Sequence, residues 1–254
     1  MATNTRSRQK SKREIEIESI EFQKQREINS LKRGRFNKQE LEQSGVVLTP
    51  KQLDLYKGIR HNTLTVCQGP AGSSKTFTAC YTALALLADR KISQIILTKP
   101  IQESGENLGF LPGTKDEKTD PYMKSYFSNF EKIIGRASFE FMRTNGDIIV
   151  EPLAYMRGTT YDNCIMLLDE AQNCTMTQLM LWVTRLGNDS KAMMMGDVSQ
   201  YDIKKRDSKF LEFIELISDV EQVNNFKFTS EDIVRNKFLI DIVNKYEKWK
   251  NENI

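Results

Sequence analysis

The stretch Gly69-Pro70-Ala71-Gly72-Ser73-Ser74-Lys75-Thr76 puts glycines, a lysine and a threonine hydroxyl at the spacing of a phosphate-binding loop. In such a turn the backbone N–H groups of the loop and the first helical residues lack an internal acceptor. They converge with the positive end of the helix dipole on one point, which suits a triphosphate. Lys75 would reach the β- and γ-phosphates, the Thr76 hydroxyl would be a ligand of Mg²⁺, and Phe77 completes the set as the helix begins. Glycine is expected just before the lysine, but Ser74 stands there. A serine fits that position if its backbone is ordinary helical.

Two carboxylates form the second group. Asp169-Glu170 ends Cys164-Ile165-Met166-Leu167-Leu168, an unbroken apolar run that reads as a strand covered on both faces. The carboxyl ends of such strands border the ligand crevice of open α/β sheets. Asp169 is placed to hold the Mg²⁺ shell, and Glu170 to polarise a water for attack on the γ-phosphate. A third buried run, Ala192 to Met195, ends in Gly196-Asp197-Val198-Ser199-Gln200, where Gln200 can contact the γ-phosphate. Gln52 precedes the loop by about twenty residues. Its amide offers a donor and an acceptor together, which can read an adenine edge. Arg235, in Asp232-Ile233-Val234-Arg235, could stabilise a transferring phosphoryl group with its fork of donors, and spacing alone fits a surface arginine equally. ATP and Mg²⁺ are the cofactors these residues imply.

The elements that must position these groups alternate between strand and helix. Leu64, Val66 and Cys67 form a strand before the loop, and Phe77 to Ala88 a helix after it. Thr49 caps a helix that has Pro50 at its first position. A second strand covers Ser93 to Thr98 and ends in Lys99-Pro100. A long Gly/Pro-punctuated segment follows from Ile101 to Pro121, with a charged run from Lys115 to Asp120. Helices are expected at Tyr122 to Ile134, Thr175 to Leu186, Ser208 to Ile217 and Glu231 to Lys248, and strands at Ile148 to Val150 and Val223 to Phe228. This pattern predicts a three-layer α/β domain with a mostly parallel central sheet.

The chain has 254 residues, of which 28% are charged and 39% apolar, enough for one large globular domain with an appendage. Residues 1–45 hold eleven Lys/Arg against seven Asp/Glu, a net +4 in a basic N-terminal arm, helical or disordered, ahead of a domain over 46–254 whose charge is near −1. Within that arm Lys32, Arg33 and Arg35 with Phe36 could touch phosphates and stack on a base, or form a solvated linker. No run of about 18 apolar residues suggests a membrane span, and the basic N-terminus lacks the apolar core of a signal peptide. Cys67, Cys80, Cys164 and Cys174 show no metal-ligand spacing and read as buried free thiols. A cytoplasmic location is expected.

Taken together, these motifs resemble the PhoH-like family of ATPases, in the short single-domain form often encoded by bacteriophages. The resemblance covers roughly residues 46–250. It rests on the loop, on Gly105-Glu106-Asn107-Leu108-Gly109-Phe110-Leu111-Pro112-Gly113 continuing to Asp120-Pro121-Tyr122, and on Pro152-Leu153-Ala154-Tyr155-Met156-Arg157-Gly158. It also rests on Leu168-Asp169-Glu170-Ala171-Gln172-Asn173, Gly196-Asp197 with Gln200, and Asp232-Ile233-Val234-Arg235. Ser74 departs from the family's glycine. The family is similar to superfamily 1 helicases and implies a RecA-like P-loop core, with the strand ending at Gly196 between the loop strand and the Asp169-Glu170 strand. It further implies Gln52 at adenine, Gln200 at the γ-phosphate, Arg235 as an arginine finger, and nucleic-acid contacts near Thr98-Lys99-Pro100. Such helicases carry two RecA-like domains per chain and this chain has room for one. A neighbouring subunit would then supply Arg235, in a homo-oligomer that closes into a ring such as a hexamer.

The resulting expectation is Mg²⁺-dependent ATP hydrolysis by an oligomer acting on RNA or single-stranded DNA, in helicase or translocase fashion. The alternative is a nucleotide-switched protein-binding module without helicase activity. A small-molecule kinase shares the loop, but the long segment after Lys99 lacks the arginines of a kinase lid.

Overall fold

The computed structural model describes residues 36–100, 115–198, 200 and 207–234 (115–118 by backbone alone), and helical positions 238, 241, 242, 245 and 249. Lys32, Arg33, Arg35, Arg235 and the Gly105 to Gly113 segment lie outside the described residues. The described elements run α1 (Lys38–Glu42), α2 (Pro50–His61), β1 (Leu64–Gln68), α3 (Lys75–Ala88), β2 (Gln94–Thr98), α4 (Lys115–Ile134), α5 (Arg136–Asn145) and β3 (Ile148–Val150). They continue with β4 (Cys164–Leu168), α6 (Met176–Val183), β5 (Lys191–Gly196), α7 (Phe210–Leu216) and β6 (Val223–Lys227). Short 3₁₀ turns follow β3, β4 and β6, at Leu153–Tyr155, Ala171–Asn173 and Ser230–Asp232.

The strands form one parallel sheet in the order β3-β2-β4-β5-β1-β6. As expected, β5 lies between β1 and β4. Side chains alternate faces along each strand, because the strand period is two. Ile165 and Leu167 of β4 and Met193 and Met195 of β5 join one core with α1 to α5. Met166, Leu168, Ala192 and Met194 join another with α6 and α7. Burial on both faces explains the unbroken apolar runs.

Three methionines in β5 are wholly buried filler, and all four cysteines are buried free thiols. Burial pushes the Cys67 and Cys174 thiols up to about 12 and Cys164 to about 11.

Most element boundaries agree with the sequence pattern. The helix expected from Glu231 does not start there, because Ser230–Asp232 form a 3₁₀ turn and Ile233 is extended, and two further readings need correction. The helix expected from Tyr122 begins at Lys115 and runs through Pro121. Proline lacks an N–H and usually marks a helix start. Here tertiary contacts hold the turn before it. Asp120 makes a two-pronged ion pair with Arg143 of α5, at 2.8 and 3.1 Å, and the Arg143 guanidinium stacks 4.4 Å over the Phe127 ring.

The second correction concerns Phe36. It is no base-stacking residue, because it is 6% exposed and packs in the core with Leu41 of α1. A capping box at Asn37 and Glu40 starts α1 despite its single turn and a half. Leu41→Ala is therefore expected to destabilise the protein by roughly 2–3 kcal/mol. Chemical denaturation would read this, and a change under about 0.5 kcal/mol would contradict the packing.

Candidate nucleotide site

The three central strands end at one level. Register pairs Gln68 with Gly196 and Leu168 with Met194, so the segments after β1, β4 and β5 meet at one end of the sheet. They enclose a cavity of about 350 Å³. Ala71, Gly72, Ser74, Lys75, Thr76 and Phe77 line one side, and Asp169, Glu170, Gly196, Asp197 and Gln200 another.

The loop's turn is closed by Ser73, whose hydroxyl donates to the Pro70 carbonyl at 2.8 Å. Gly69 has no room for a side chain, since a Cβ there would stand 2.6 Å from Phe228 Cβ. The Lys75 ammonium donates to the carbonyls of Gly69 (2.6 Å) and Pro70 (2.9 Å), folded over its own loop.

The condition set for a serine at position 74 is not met. Its backbone is left-handed, with φ 63° and ψ 26°, and no side-chain cap compensates it. The chain must turn sharply from loop into α3 here, which suits a residue without Cβ. For serine the conformation costs roughly 1–2 kcal/mol.

At the other side, Asp169 Oδ2 gathers three donors. The hydroxyls of Thr76 and Ser125 are each 3.3 Å away and the Lys99 ammonium 3.2 Å. Adjacent oxygens around an octahedral Mg²⁺ stand about 3 Å apart, so the Thr76–Asp169 pair fits a shared metal ligand set. Glu170 is also left-handed, at φ 59°. Its carboxylate accepts from Gln172 Nε2 at 2.7 Å, while Gln172 Oε1 accepts the Asp197 N–H at 3.0 Å. Gln172 is 1% exposed, so this link between β4 and β5 is shielded from water. Burial and the neighbouring Asp169 charge raise the Glu170 carboxyl above its ordinary value, opposed by the Gln172 hydrogen bond and by Lys99 and Lys75.

Sequence reasoning missed part of the wall. Ser125, Asn129 and Lys132 of α4 line the cavity together with the loop. Their spacing puts them on one helix face, against a buried stripe of Met123, Tyr126, Phe130 and Ile133. That polar face looks like a solvated one in the sequence, and nothing local says it meets the loop. Val234 also lines the cavity, its N–H donating to the Gly72 carbonyl at 3.0 Å.

Two expected residues stand elsewhere. Gln52 is not a lining residue; it is 5% exposed and its Oε1 accepts the Thr49 N–H at 2.9 Å in a capping box. Lys99, expected at a nucleic acid, is turned inward. It is 8% exposed and faces Asp169 and Glu170, because two carboxylates on the adjacent strand outcompete solvent for its charge. Among the described residues no helix is long and apolar enough to cross a membrane.

A family profile described as PhoH-like protein matches residues 46–247. The PhoH-like protein of Bacillus subtilis (strain 168) is 37% identical over 203 residues, covering 80% of this chain and 64% of its own length. That of Mycobacterium tuberculosis (strain ATCC 25618 / H37Rv) is 36% identical over 214 residues, covering 83% and 61%. The chain thus spans about three fifths of the length of these relatives. Among solved structures, the large terminase from a thermophilic bacteriophage superposes with a TM-score of 0.50 at 10% identity, over 75% of this chain and 48% of that one. That likeness is one of fold.

Two variants test the site's local physics. Ser74→Gly is expected to raise stability by roughly 0.5–1 kcal/mol, the relieved left-handed strain less the entropy of glycine. A loss of stability in denaturant titrations would refute that. Glu170 carries a raised carboxyl, which costs stability once pH passes its ordinary value of 4.5. Glu170→Gln should therefore raise Tm at pH 7, with the gain vanishing as pH falls below 4.5.

Proposed function

Because the chain belongs to the PhoH-like protein family, we propose that it binds ATP with Mg²⁺ in this cavity and hydrolyses it. The observation that carries the reading is the meeting of Lys75, Thr76, Asp169 and Glu170 around one cavity at the carboxyl ends of parallel strands. The loop N–H groups and the α3 dipole hold the phosphates. Lys75 exchanges its two carbonyl acceptors for the β- and γ-phosphate oxygens. Thr76 and Asp169 would hold Mg²⁺, which supplies charge neutralisation at the transferring group when bound.

Glu170, oriented by Gln172, accepts a proton from the attacking water. Its raised carboxyl brings its basicity nearer to neutral pH, as a general base requires. Gln200 on the exposed rim contacts the γ-phosphate, and Arg235 supplies a further cation. Gln52 would read both donor and acceptor of an adenine edge only on releasing its Oε1 from the helix cap.

On this reading the protein works as a homo-oligomer on RNA or single-stranded DNA, drawn by Lys32, Arg33, Arg35 and the rest of the basic arm. The switch reading has one observation in its favour. Ser125, Asn129 and Lys132 of α4 line the same cavity as the loop, so a bound nucleotide would pull on the helix that follows the long Gly/Pro segment.

Steady-state ATP turnover across protein concentrations, with and without single-stranded RNA and DNA, separates these. Glu170→Gln should lose about 10²–10⁴-fold in turnover. Stimulation by a nucleic acid, lost on deleting residues 1–35, supports the motor; turnover indifferent to it favours the switch. The deletion stops at Arg35 because Phe36 belongs to the core. Mixing Lys75→Ala with Arg235→Ala should restore turnover if Arg235 acts across a subunit boundary.

A further inference from the structure

Lys99 lies at the end of β2, the strand beside β4, and its ammonium sits among the groups that would hold the metal. It is 3.2 Å from Asp169 Oδ2 and 3.9 Å from Glu170 Oε1, and 5.9 Å from the centre of the Tyr126 ring. Tyr126 is fully buried and its hydroxyl reaches the Thr98 carbonyl at 3.4 Å, which fixes the ring beneath the ammonium. Lys99 is not among the cavity-lining residues, whereas Asp169, Glu170 and Thr76 are. The ammonium therefore reaches Asp169 from the β2 side and contacts the same oxygen, Oδ2, that the Thr76 hydroxyl contacts from the cavity side.

This placement has an electrostatic consequence for any divalent cation on the cavity side. A fixed positive charge on the same carboxylate repels the cation and cancels part of the attraction that Asp169 and Glu170 exert together. The triphosphate brings its own negative charge and removes that handicap.

We propose that Lys99 is a positioning residue that holds the Asp169 carboxylate through Oδ2 and keeps the site's affinity for a free divalent cation low, so that the metal enters together with the nucleotide's phosphates. The inference rests on the assignment of Thr76 and Asp169 as metal ligands made above. It differs from a nucleic-acid contact, for which a buried, ion-paired ammonium is poorly placed.

The test is a titration of the nucleotide-free full chain with Mn²⁺, followed by the electron paramagnetic resonance signal of free Mn²⁺. The proteins are wild type, Lys99→Met and Lys99→Gln, each checked for its fold by circular dichroism. The glutamine keeps a donor for Asp169 while removing the charge, should the methionine fail to fold. Either folded variant is expected to bind Mn²⁺ roughly tenfold more tightly than wild type. Adding Asp169→Ala should abolish that gain.

Variants that bind Mn²⁺ no more tightly than wild type overturn the proposal, and so does a gain that survives Asp169→Ala. A parallel titration of wild type with Mn²⁺ and ATP together separates the two readings. If wild type binds the metal–nucleotide complex and the variants show no gain with free Mn²⁺, the role of Lys99 falls alone. If wild type does not bind the complex, the nucleotide site itself is wrong.

Discussion

The structure depends on the parallel register of β5 with its two neighbours. β5 hydrogen-bonds to β1 along one edge and to β4 along the other, and the three strands end together. Every group proposed to touch the phosphates or the metal from these strands is attached within eight residues of one of those ends. A register shift of one residue would invert the buried faces of β5 and displace Gly196-Asp197 from the loop. The methionines and leucines that fill both faces are thus what fixes the geometry of the site.

Around that frame the site spends stability on position. Ser74 and Glu170 both hold left-handed backbones, and the Glu170 carboxyl is half-buried beside another carboxylate. Such strain survives only where the surroundings over-determine it. At Glu170 the surroundings are identifiable: the Gln172 amide bridges it to the Asp197 N–H, and Lys99 lies within 3.9 Å. The link joins the ends of β4 and β5 through a single side chain, so the orientation of the carboxylate follows the position of β5.

Much of this was legible in the sequence, and the exceptions have physical causes. Continuous apolar runs announced β4 and β5, because strands covered on both faces need no polar alternation. Thr49-Pro50 announced α2, because capping is a local interaction. The failures concern side chains whose partners are distant in sequence. Lys99 was expected at a nucleic-acid contact, yet its partners are carboxylates about seventy residues on. Phe36 looked like part of a basic patch, yet it packs in the main core. The polar face of α4 carries no mark that it meets the loop. The sequence could not say which backbone Ser74 adopts, because the turn into α3 imposes its dihedrals.

The two outer strands bear on how copies of this chain can associate. The centre of the sheet is rich in Met, Leu and Ile, the composition that polymerises when an edge is left open. Its margins discourage this. β3 is only three residues long, and β6 carries Asn224, Asn225 and Lys227 with a half-exposed burial pattern. Short or polar margins give a neighbouring strand little to extend. Growth by adding strands side to side is thereby disfavoured, and contacts between copies are left to helices and loops, including those that frame the nucleotide cavity.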